Sequence, residues 1–244
     1  MDKNVIFEHH SLYEHNMVLG AEVRYGAFFC SARTATLLLS NIMMWPTTDC
    51  DIFIRFLSQM KKYHTLCLMS LVRQHRIQAK MNLRYFLEST VHAAYALAHV
   101  NTTNYFDHES GSKHDSKKAS GIAYKWIGET FSQYSSEIKR MKDRINEQTA
   151  HANVINSQHN FKFVSGDRPE IHTTFFDFAD DHWVKVDLWE CAQAGLIASD
   201  LILAVREKFG GFVPSREADE LATLIVENNG LLEILERDNA EHSE

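Results

Sequence analysis

Apolar residues along most of this chain recur three and four positions apart, the spacing that lines one face of an α-helix. The first 45 residues carry short apolar runs, AFFC and TLLLSNIMMW, that close at Pro46 and predict one or two packed helices. Thr47, Thr48 and Asp49 are N-cap residue types ahead of a long helix with Phe53, Phe56, Leu57, Met60, Tyr63 and Cys67 on one face. A second helix begins near Ile77. Its stripe is Leu83, Leu87, Val91, Ala94 and Ala98, with Arg84, Glu88 and His92 beside it. Residues 101–118 are polar, contain Gly and Ser, and have no periodicity, so they predict a loop. Helix resumes near Ser120, with a seam of Ile127, Phe131, Tyr134, Ile138, Met141, Ile145, Ala152 and Ile155 that only Gln148 interrupts. The same register sets Glu137, Arg140, Arg144, Glu147 and His151 in a polar row along its edge.

From Phe161 to Phe176 the period shortens to two, with Phe161, Phe163, Ile171, Thr173 and Phe175 alternating around SGDRP; this predicts a β-hairpin. The most regular helix follows, through Val184, Leu188, Cys191, Gly195, Ala198, Ile202, Val205 and Phe209, and stops at Gly210 and Gly211. Gly195 and Ala198 leave room for a close neighbour, and further apolar residues on its other faces make it the expected central helix. Ser215 is placed to cap a last helix with Leu221, Leu224 and Ile225 inward. Asn228, Asn229 and Gly230 should end or kink it, and a charged tail (237–244) should fray. The prediction is one all-α domain over residues 1–244, a bundle of about six to eight helices with one small β-hairpin insertion and a core over residues 48–209.

Composition narrows the function. The 244 residues carry a formal net charge of −7, so nucleic acid would meet a repelling surface everywhere except at a local basic patch. Only 3 prolines and 10 glycines favour long helices over many turns. Cys30, Cys50, Cys67 and Cys191 form no CxxC pair, which argues against a zinc knot and for reduced, buried thiols. The N-terminus has no apolar leader core, and no stretch reaches the roughly 18 uninterrupted apolar residues of a membrane span. A soluble, cytoplasmic protein is expected. No GxGxxG, P-loop, GxSxG or HExxH pattern occurs, which argues against dinucleotide enzymes, P-loop NTPases and familiar hydrolases.

One segment, KRMKDRINEQTAH, joins charge, spacing and chemistry. Arg144 and His151 are seven residues apart, two helical turns or about 10 Å along the axis, on one face. A guanidinium grips two phosphate oxygens, and an imidazole titrates near neutrality and moves protons. This pattern, on a late helix of an all-α bundle and after an earlier helix LRYFLESTVHAAYAL (83–97), resembles the HEPN superfamily, the higher eukaryotes and prokaryotes nucleotide-binding domains. The likeness covers roughly residues 50–210, as pattern. It implies a metal-independent endoribonuclease or RNA-binding domain that needs no cofactor, forms a homodimer and has an antitoxin-type protein partner. Arg144 would orient the scissile phosphate, His151 would act as acid and base, Asn146 or Glu147 would orient the imidazole, and Lys139, Arg140 and Lys142 would guide RNA. Family members often place a small polar residue directly after the arginine; this chain has Ile145 there and Asn146 next.

Two other readings use the same residues. Glu88 with His92 and Glu147 with His151 are i, i+4 pairs, the ligand types from which bundle metal sites are made, with Asp180, Asp181 and His182 as a further set. Against this, Asp180 and Asp181 stand where a helix starts, so capping alone accounts for them. The last reading keeps only the bundle, as a non-enzymatic partner-binding or sensor protein.

Overall fold

The computed structural model describes residues 3–47, 49–101, 105, 116–149, 160–165, 170–177 and 180–241. Among them are eight α-helices: α1 (Lys3–Tyr25), α2 (Ala27–Asn41), α3 (Asp51–Val72), α4 (Arg76–Ala98), α5 (Ser116–Thr130), α6 (Ser132–Thr149), α7 (Asp181–Phe209) and α8 (Leu221–Glu241). The fold is an all-α bundle with the expected hairpin, β2 (Phe161–Val164) against β3 (Glu170–Thr173), in antiparallel register. A second pairing was not expected. Strand β1 (Met43–Pro46) joins β4 (Phe212–Pro214), closing the end of α2 onto the end of α7. Gly210 and Gly211 have φ of 79° and 109°, so the chain turns from α7 into β4 through a conformation that side chains resist.

α7 is the central helix, packed against α2, α3, α4 and α8. Val184, Leu188, Cys191, Ala198, Ile202 and Val205 are all buried; the seam ends there, because Phe209 at the helix terminus is 44% exposed. Its length and composition would let it cross a membrane, but 67% of that window lies buried inside the fold, where the other helices need its apolar faces. α3 and α4 make the most extensive helix pair. The turn between them is a Schellman motif: His75 N–H donates to the Ser70 carbonyl (2.8 Å) and Gln74 N–H to that of Leu71 (3.0 Å). Gln74 occupies the left-handed position, φ 59°, where glycine usually stands.

Several expectations are corrected. The N-cap position of α3 is Cys50, not Thr47 or Asp49, and its side chain makes no capping bond; it is buried, with its thiol pointing at the Gly211 carbonyl across the β1–β4 clasp. The seam from Ser120 does not run on unbroken, because α5 and α6 are separate helices that meet at Phe131. Ala152 and Ile155 lie outside the described residues. Ser215 precedes a 3-10 turn (Arg216–Glu220) and makes no side-chain cap. α8 passes straight through Asn228, Asn229 and Gly230 and stays helical to Glu241, beyond the expected fraying point. Asn228 is fully buried because it ties three helices: it accepts from Ser31 of α2, donates to Gln193 of α7, and its carbonyl accepts from Trp189. Satisfied on every side, a polar residue costs the core little.

Candidate functional site: a buried ion network ending at Arg144

Five charged side chains from α4, α6 and α7 alternate in sign through the interior. Arg76 Nε donates to Asp187 Oδ2 (2.5 Å). Lys80 Nζ reaches Asp187 Oδ1 (2.7 Å) and Glu190 Oε2 (2.5 Å). Arg144 Nη1 donates to Glu190 Oε1. Lys80, Asp187 and Glu190 are buried, whereas the Arg144 side chain is 41% exposed. Helical spacing arranges this: Arg76 and Lys80 are one turn apart on α4, and Asp187 and Glu190 one turn apart on α7, so the two rows face each other. The α3–α4 turn fixes its outer end, where the Arg76 backbone N–H donates to Asp177 Oδ2 (2.6 Å).

The electrostatics follow from that packing. Burial alone would lift the Asp187 carboxyl, but Lys80 and Arg76 outweigh it and hold the group below its usual range. Burial likewise opposes the charge on Lys80, and Asp187 and Glu190 override it, so the ammonium stays protonated beyond the ordinary lysine range. Asp187 and Lys80 are therefore held as ions in the interior, where each charge is stabilised by its partners.

Arg144 is where this network reaches the surface. It lines an open groove of about 540 Å³ along α6 with Ser136, Lys139, Arg140, Asp143 and Glu147. A guanidinium has five N–H donors, so the bond to Glu190 anchors it without exhausting it. Lys139 pairs with Asp143 (3.6 Å) and Arg140 with Glu137 (2.8 Å), both among exposed side chains. Such surface pairs are worth about 0–1 kcal/mol each and exchange readily for another anion. The groove thus gathers the expected Lys139, Arg140, Arg144 and Glu147. Lys142 is not in it; it turns inward to the Tyr124 hydroxyl (2.5 Å) and to Glu88 (3.1 Å). Asn146 Oδ1 is buried without a partner among the described residues. His151 lies outside the described residues.

Four residues of the metal reading, Glu88, His92, Asp180 and Asp181, are engaged elsewhere. Glu88 pairs with Arg84 (3.3 Å) and Lys142. His92 stacks on Phe56 (5.0 Å) and bonds the Ser120 hydroxyl (3.0 Å); burial, reinforced by Lys142 and opposed by Glu88, keeps its imidazole below the usual range. Asp180 caps α7 by accepting from the His182 N–H, and Asp181 pairs with Arg24 (2.6 Å), as their place at a helix start requires. Among the described residues no group of three or more His, Cys, Asp or Glu is arranged to hold a metal ion.

Lys80, Asp187 and Glu190 do not show in the apolar periodicity, because they stand at polar positions beside the seam. The available signal was two carboxylates one turn apart on an otherwise apolar helix, opposite two cations one turn apart on another. No family model, no curated protein and no solved structure matches this chain.

Proposed function

We propose that the α6 groove binds the phosphate backbone of RNA, with Arg144 on the scissile phosphate and His151 moving the protons of cleavage in a metal-independent, HEPN-like reaction. The observation that carries this reading is the mounting of Arg144: a half-exposed guanidinium, held from behind by a buried carboxylate, beside two cations whose own pairs are weak. Fixed in advance, it binds phosphate without first losing its own freedom. In a chain of net charge −7, the groove still carries three cations against two anions. In the reaction, the 2′-oxygen attacks phosphorus as His151 takes its proton. The bond to the 5′-oxygen breaks as His151 gives its proton to that oxygen, leaving a 2′,3′-cyclic phosphate. Asn146 and Glu147 are the candidates to orient the imidazole.

The test uses fluorescently labelled single-stranded RNA in EDTA. Arg144→Ala should weaken binding about tenfold or more and flatten the dependence of log K on log salt by about 0.7, one phosphate contact. His151→Ala should abolish cleavage and leave binding intact. RNA that is neither bound nor cut by the wild-type chain removes this reading.

A partner-binding role has its own support in the hairpin. Phe161, Phe163 and Ile171 share one face, and are 42%, 56% and 66% exposed. Two strands alone are marginal in water, so a protein that covers this face would stabilise them. Phe163→Ser should then abolish capture of such a partner and leave RNA binding unchanged.

A further inference from the structure

α1 has two apolar faces, and the fold uses one. Ala21 and Tyr25 are buried against the bundle, at 0% and 2% exposure. On the opposite side of the same helix, Leu12, Leu19 and Val23 are 58%, 69% and 93% exposed. The residues on that outer line, His9, Leu12, Asn16, Leu19 and Val23, are separated by steps of three and four without a miss. This is a heptad seam with Leu12 and Leu19 at d and His9, Asn16 and Val23 at a.

We propose that α1 pairs with α1 of a second copy as a parallel, in-register two-helix seam. Two features choose this occupant and this orientation. Leucine at d, with a single asparagine at a, suits a parallel dimer, in which Asn16 bonds its own counterpart across the axis. The flanking charges agree. The g positions are Glu8, His15 and Glu22, and the e positions are Ile6, Tyr13 and Gly20. In parallel pairing, Glu8 meets Tyr13 of the second copy and His15 meets Gly20, so no like charges face each other. Antiparallel pairing would set a against d and put Asn16 beside an apolar residue instead of its own counterpart. Because the buried face lies opposite the seam, each bundle stands on the far side of its own α1 and the two do not collide there. The seam involves none of the residues of the α6 groove, so either proposal stands if the other fails.

Sedimentation equilibrium of the full chain should give twice the 28.1 kDa monomer mass, falling to monomer on dilution. Leu12→Lys with Leu19→Lys, both at exposed positions, should yield monomer alone with an unchanged circular dichroism spectrum. Asn16→Cys, in a chain whose partly exposed Cys30 is changed to Ser, should form a disulfide between the two copies on oxidation. Any of three results overturns the proposal: a monomer at every concentration, a dimer that survives the double lysine variant, or a dimer in which the cysteines at 16 do not join.

Discussion

Gly195 shows how one missing carbon sets the packing of this bundle. A Cβ built there would lie 2.7 Å from His64 Nε2 and 3.2 Å from the Ala35 methyl. His64 is fully buried, and its Nε2 is 2.9 Å from the Cys191 carbonyl. That bond needs a proton on Nε2, and Nδ1 lies 2.9 Å from the Thr36 hydroxyl, which itself donates to the Ala32 carbonyl. The ring therefore links α2, α3 and α7, and it cannot retreat without breaking both bonds. Gly195→Ala should destabilise the protein by about 1–3 kcal/mol through this overpacking. The loss should appear in urea unfolding even though alanine gains about 1 kcal/mol of helix propensity. If the variant is instead more stable, the close approach at Gly195 is not what limits the core. The small residue was visible in the sequence as a sign of close packing; that a histidine fills the space was not, because nothing local to His64 distinguishes it from the exposed histidines.

Among the elements, periodicity revealed those with one apolar face and missed those with none or two. α7 and the α3–α4 pair were legible because their seams repeat without interruption. α1 was not, since Ala21 and Tyr25 on one side and Leu12 and Leu19 on the other blur into a featureless sequence. The β1–β4 clasp could not be found either: each strand has three or four residues, and their pairing is a fact of the tertiary fold rather than of either segment. The Schellman turn after α3 gives a prediction at this scale. Holding Gln74 in the left-handed region costs about 1–2 kcal/mol that glycine does not lose in the same way. Gln74→Gly should therefore raise stability by up to about 1 kcal/mol, measured by thermal unfolding, after the greater chain entropy of glycine is set against the relief. A lower melting temperature would show that the Gln74 side chain contributes more than its backbone costs.

The ion network couples the molecule as a whole to pH. Asp187, held below its usual range, stabilises the fold at every pH above the unfolded carboxylate value of about 4, and that stability is lost as pH falls through its depressed folded value. Lys80 works in the other direction: its contribution is complete below the unfolded lysine value of about 10.4 and disappears as pH rises through the elevated folded one. Between these limits stability from this source should be flat, with losses in strong acid and strong base. Asp187→Ala should cost about 3–5 kcal/mol near neutrality, because it strands Arg76 without its carboxylate and leaves Lys80 with Glu190 alone. It should also remove much of the acid-side slope in urea titrations at different pH. An unchanged slope would assign acid sensitivity to other carboxylates. The clasp between β1 and β4 bears on the order of events during synthesis. Met43 is paired with Pro214, so a chain still emerging from the ribosome has its first helices long before it has anything to fasten them to. The clasp closes only once Phe212–Pro214 has been synthesised, and until then the apolar face of α2 that packs on α7 stands open to chaperones.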